Sequence, residues 1–112
     1  MKWKVVLVPF PFDDLSGTKV RPAVCLTDEI GPYKHIVIAF ITSQGSKAAE
    51  GSDIAILPGS PDFAATGLKV PSAIRLHRLI TIPVSLIQRE LGILAPVLQT
   101  EVEGKIRELF GI

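Results

Sequence analysis

Four side chains in this 112-residue chain are of the kinds that handle a phosphodiester. Arg21 stands before Pro22 at the exit of a polar loop, and Thr42 ends an apolar run ahead of Ser43 and Gln44. Arg75 and His77 flank Leu76. A guanidinium matches a phosphate with two parallel hydrogen bonds, a hydroxyl donates to a non-bridging oxygen, and an imidazole titrates near neutrality. Such parts suffice to cleave RNA without a metal. A base takes the 2′-OH proton, the oxygen attacks the adjacent phosphorus, a cation stabilises the phosphorane, and an acid protonates the leaving 5′-oxygen.

Each feature also has a plain structural reading, and spacing alone does not exclude it. Arg21 can pair with Asp13 or Asp14 and pin the loop. Thr42, Ser43 and Gln44 can close a strand into a turn. Alternation puts Arg75 and His77 on one face of a strand and Leu76 on the other. A buried, unpaired Arg and His would be costly, so a surface groove is the expected setting. His35 and His77 have no partner at metal-ligand spacing, and no phosphate-loop or dinucleotide fingerprint occurs. Gly17 and Gly31 read as turn glycines. Neither a metal nor a cofactor is expected.

The elements that must position these residues are mostly strands. Val- and Ile-rich runs punctuated by Gly, Pro, Asp and Ser predict strands over 4–9, 22–27, 35–42, 53–57 and 72–76. Residues 78–82 either continue the last strand or add another. Several runs are too apolar to have a wet face, so both faces of the sheet are expected to be covered. Residues 45–52 and 59–67 read as polar, glycine-bearing loops. A short helical turn is predicted at 85–90, with Ser85 as its N-cap. Leu98, Val102, Ile106 and Leu109 recur at helical spacing, which predicts a helix from Pro96 to Phe110 stopped by Gly111. Gly104 inside that helix costs about 1 kcal/mol against alanine, which suggests close packing there. The expected architecture is a small, mostly β barrel closed by a C-terminal helix.

Composition bounds the rest. A chain of this length holds one core, so one domain over 1–112 is expected. Apolar residues make up 47% and mean hydropathy is high, yet no stretch is long enough for a membrane helix. The apolar excess therefore reads as core plus a buried interface. No secretory leader pattern opens the chain, and the lone Cys25 has no disulfide partner within it, so a reducing cytoplasm is the expected setting. Twelve basic against eleven acidic residues give a net charge of +1, so any nucleic acid must meet a local patch.

Several ordered motifs carry a resemblance that spans nearly the whole chain. The run Val8-Pro-Phe-Pro-Phe-Asp-Asp-Leu-Ser-Gly-Thr-Lys-Val-Arg-Pro-Ala-Val24 resembles the first hairpin of MazF/PemK-like toxins. Ile41-Thr-Ser-Gln44, Gly67-Leu-Lys-Val-Pro-Ser72, Arg75-Leu-His-Arg-Leu-Ile-Thr-Ile82 and Leu91-Gly-Ile-Leu-Ala-Pro96 follow in the family's order. The resemblance implies an SH3-like β-barrel, a homodimer, and the toxin of a type II toxin–antitoxin pair. Its implied activity is metal-independent, sequence-specific cleavage of single-stranded RNA, blocked by a cognate antitoxin lying in the RNA groove. By motif, Arg21 would bind phosphate and transition-state charge, and Thr42 would hold the scissile phosphate. An Arg-x-Asp motif that acts in some members of the family falls on Arg75-Leu76-His77. The resemblance makes Asp13, Asp14, Ser16, Gly17, Thr18, Lys19, Ser43, Gln44 and Arg78 the groove's RNA-binding residues. Two departures stand out. His77 occupies the acid's position, and Met1-Lys-Trp-Lys4 replaces a Gly-Asp start, so Trp3 either stacks on RNA or packs at an edge. A binding module of the same fold, engaging an antitoxin, a gyrase-like protein or RNA without cutting, is the alternative.

Overall fold

The computed structural model describes residues 1–9, 19–43 and 51–112. Its strands are β1 (Lys4–Pro9), β2 (Val20–Cys25), β3 (His35–Thr42), β4 (Asp53–Ile56), β5 (Ser72–Pro83) and β6 (Arg89–Ile93). Two α-helices join them, α1 (Phe63–Thr66) and α2 (Pro96–Phe110). All six strands form one antiparallel sheet in the order β4-β5-β3-β2-β1-β6. The sheet curls around a core and α2 packs across it, as the apolar strands and the C-terminal helical periodicity predict.

Alternation divides the buried residues between the sheet's two faces. Val5, Val24, Ala39, Ile41, Ile54, Ile56, Ile74 and Leu76 point to one face, where Leu94 and the α2 residues Leu98 and Val102 cover them. Val6, Val8, Ala23, Cys25, Ile36, Ile38 and Phe40 point to the other, closed by Met1, Ile80, Val84 and Ile87. Burying both faces is what makes β1 and β3 read as unbroken apolar runs. Each fully buried Val, Leu or Ile contributes about 1.5–3 kcal/mol of transfer free energy. Trp3 is partly buried and packs on the first cluster, and the Lys2 ammonium lies 5.2 Å from its ring centroid. Its backbone clips the chain's start to the sheet, with Trp3 N–H donating to the Cys25 carbonyl and Leu94 N–H to the Trp3 carbonyl.

Strand β5 is continuous through residue 83, so residues 78–82 extend it rather than forming a new strand. It pairs in two registers with β3. Ala39 faces Leu79, but Ile41 faces Ile74, so residues 75–78 form a bulge. There the strand bends and takes β4 as a partner, with Asp53 opposite Arg75. Bulges of this kind bend a strand and re-aim its side chains.

Three local expectations are corrected. Residues 85–90 are not a helical turn capped by Ser85. A 3₁₀ turn covers Val84–Leu86, extended Pro83 precedes it, and no side chain caps it. The chain then enters β6, because pairing with β1 satisfies its backbone, whereas an isolated helical turn pays nucleation for few hydrogen bonds. The 59–67 stretch holds α1 rather than an open loop, and α1 lies directly on β6. A Cβ added to Gly92 would stand 2.1 Å from the Ala65 carbonyl oxygen, and one on Gly67 the same distance from that of Leu91. Finally, Gly104 is exposed and an added Cβ would meet nothing within 4 Å, so close packing does not explain it.

Candidate functional site

Arg21 is the second residue of β2 and lies opposite Val8 of β1. The ladder between β2 and β3 begins at Ala23↔Phe40. Pro22 therefore stands where β2 is paired on one side, a position that tolerates a missing N–H. Arg21 and Thr42 lie two residues beyond that first pair, on the face that carries Ala23 and Phe40. Both are half-buried, at the surface end of the face rather than in the core.

Thr42 in turn lies opposite Ala73 of β5. From Ala73, alternation carries Arg75 and His77 to the same face, while Ile74 and Leu76 turn into the first core cluster. The expected split of Arg75 and His77 from Leu76 thus holds, with Leu76 fully buried. Three adjacent strands bring Arg21, Thr42, Arg75 and His77 to one face near one end of the sheet.

The geometry around Arg75 and His77 is a four-residue cluster. Arg75 Nε donates to Asp53 Oδ1 at 3.3 Å. His77 Nδ1 lies 2.9 Å from Ser52 Oγ and 3.9 Å from Asp53 Oδ1. The Asp53 side chain is 2% exposed, against 30% for Arg75 and 39% for His77. The arginine and imidazole thus have a buried counter-charge behind them and open surface in front. That arrangement avoids the cost of burying them unpaired. It also leaves the guanidinium able to present further N–H groups to an anion.

Lys19, Ser43 and Arg78 are exposed, Lys19 just before β2, Ser43 just after β3, and Arg78 within the β5 bulge. Asp13, Asp14, Ser16, Gly17, Thr18 and Gln44 lie outside the described residues, and with them the question of an Arg21–Asp13 or Arg21–Asp14 pair. Sequence reasoning missed Ser52 and Asp53. Asp53 opens the strand Asp-Ile-Ala-Ile, whose alternation signals that its side chain leaves the Ile54–Ile56 core face. Its position opposite Arg75 needs the β4–β5 register, which no residue pattern specifies. A separate cavity of about 250 Å³, lined by Gly51, Ser52, Lys105, Glu108 and Leu109, touches the cluster only through Ser52. Three of its five lining residues belong to α2, and neither Arg21 nor Thr42 is among them.

Comparison with known proteins places the chain in a family and supports its fold. Residues 1–110 match the profile of a family described as PemK-like, MazF-like toxin of type II toxin–antitoxin system. A search of curated protein sequences gave no match. Among solved structures, the Mycobacterium tuberculosis toxin MazF-mt6 superposes with a TM-score of 0.74 at 22% identity, covering 97% of each chain. A MazE–MazF complex from Deinococcus radiodurans gives 0.73 at 18% identity, over 98% of this chain and 94% of that one. An endoribonuclease in complex with its cognate antitoxin from a mycobacterial species gives 0.69 at 12% identity, over 100% and 95%. At such identities these structures establish a shared fold, an SH3-like barrel with a C-terminal helix.

Proposed function

Because this chain belongs to the PemK-like, MazF-like toxin family of type II toxin–antitoxin systems, we propose that it is a metal-independent endoribonuclease acting on single-stranded RNA in the cytoplasm. The observation that carries this reading is the convergence of Arg21, Thr42, Arg75 and His77 on one face of three neighbouring strands. A guanidinium pair suits a phosphate whose charge grows in the transition state. Thr42 donates its hydroxyl to a non-bridging oxygen. His77, the exposed titratable group, takes the 2′-OH proton. The 2′-oxygen then bonds to phosphorus, the P–O5′ bond breaks, and the leaving oxygen is protonated by water. The products are a 2′,3′-cyclic phosphate and a 5′-hydroxyl. The imidazolium returns its proton to water when the products leave.

Lys19, Ser43 and Arg78 would track the RNA beyond the scissile step, together with Asp13, Asp14, Ser16, Gly17, Thr18 and Gln44. We also propose a homodimer and a cognate antitoxin as partners. The solved relatives that hold an antitoxin support the second. Exposed Val97, Leu109 and Phe110 on α2 leave apolar surface that a protein partner would cover.

The test is incubation of the pure protein with a mixed single-stranded RNA in EDTA. Fragments ending in 2′,3′-cyclic phosphate are expected, and their absence at every protein dose sinks the proposal. His77 in the acid's place and a net charge of +1 favour a second reading, a binding module that does not cut. Growth arrest on expression of the wild type, absent for Arg21→Ala, would eliminate it.

A further inference from the structure

The cluster behind His77 has a feature that neither the motif nor the sheet requires. Asp53 is almost wholly buried, yet among the described residues its Oδ2 has no hydrogen-bond partner. A buried carboxylate with a vacant oxygen costs stability unless something else uses it. Its other oxygen already meets Arg75 Nε and lies 3.9 Å from His77 Nδ1. The Arg75-Leu76-His77 stretch itself carries no carboxylate. On the neighbouring strand, directly opposite Arg75, stands a carboxylate.

We infer that Asp53 of β4 supplies a carboxylate from across the sheet, as the residue that positions both Arg75 and His77. With Ser52 it draws Nδ1–H of the imidazole toward the protein. That leaves Nε2, the ring's other nitrogen, unprotonated and available to a substrate hydroxyl. When Nε2 takes the 2′-OH proton, the new positive charge forms beside a buried negative one, where it is stabilised more than in water. The same carboxylate fixes the Arg75 guanidinium, so one residue aligns the base and a phosphate ligand. Among the described residues, Asp53 from β4 is the charged group that lies close to the imidazole, at 3.9 Å, and Arg75 of the same strand meets the same carboxylate. Lys105 and Glu108 of α2 border the cavity behind Ser52.

The catalytic part of this inference rests on the ribonuclease reading, and the positioning part does not. The experiment therefore has one arm without RNA. In alkaline buffer, where a histidine is neutral, ¹⁵N chemical shifts of His77 report its tautomer. The wild type is expected to be mainly Nδ1–H, and Asp53→Asn to move toward Nε2–H. Ser52→Ala should move the same way and serves as the second variant if Asp53→Asn folds poorly. An unchanged tautomer in both overturns the positioning role. In the second arm, single-turnover cleavage by Asp53→Asn is expected to fall about 10²-fold, as misalignment of a reacting group by an ångström does. Affinity for a 2′-O-methyl RNA, which cannot be cut, should fall less than the rate, by about tenfold at most, because Arg75 also loses its partner. The double variant with His77→Ala should lose little more than either single one. Losses that simply multiply would overturn the coupling. A wild type that cleaves nothing overturns the ribonuclease reading, while the tautomer still decides whether Asp53 orients His77.

Discussion

Cys25, the last residue of β2, lies fully buried on the second core face. Desolvation by that burial pushes its thiol from about 9.0 up to about 11. The folded state thus holds the proton to higher pH than the unfolded chain does. Its contribution to stability is complete below pH 9 and is lost as pH rises toward 11. Because only the thiolate is a nucleophile, the native protein should not react with an aromatic disulfide reagent at neutral pH. One equivalent should react once the protein is denatured, and rapid labelling of the native form would contradict this burial. The contrast with His77 and Arg75, partly open on the same face, separates residues that pack from residues positioned to meet a ligand. Alternation around Leu76 made the common face of Arg75 and His77 legible from sequence alone. Asp53 was not legible, because its role comes from a cross-strand neighbour 22 positions away. Only the pairing of β4 with β5 creates that relation.

Strand β5 is the element on which the site depends. Its bulge at 75–78 lets one strand pair with β3 along most of its length and still meet β4 near Arg75. The apolar runs on either side were readable as strands, but a bulge is a change of register and leaves no compositional mark. Strand β6 was hidden for a related reason. Arg89-Glu-Leu-Gly-Ile93 carries ordinary helix formers, and pairing with β1 overrides their preference. Helix α2 was the reverse case, since Leu98 and Val102 are buried as its periodicity requires. Its Gly104 pays the glycine cost with no packing return. Gly104→Ala is expected to raise stability by about 1 kcal/mol in urea unfolding, without altering activity. Gly92→Ala should do the opposite. Its Cβ would meet backbone atoms of α1, and a loss of about 1–3 kcal/mol is expected from such overpacking. A neutral Gly92→Ala would show that α1 does not need this close approach.

On the scale of the whole molecule, the charge is nearly balanced at +1, so long-range attraction for RNA is weak. Binding must come from a local set of cations, of which Lys19, Arg21, Arg75 and Arg78 lie on or beside the site strands. If these four meet phosphates, the logarithm of RNA affinity should fall against the logarithm of salt with a slope of about −3. A slope near zero would mean that the RNA sits elsewhere. The curled sheet gathers four polar side chains of three chemical kinds from β2, β3 and β5, and the apolar clusters hold those strands in place. The central claim is that this shared face cuts RNA. The most direct measurement is the single-turnover cleavage rate of one RNA in EDTA by wild type, Arg21→Ala and Gly104→Ala. Arg21→Ala should cut at least about 10²-fold more slowly while remaining folded, as loss of a transition-state charge partner commonly does. Gly104→Ala should match the wild type. Equal rates for all three, or cleavage by none, would contradict the account.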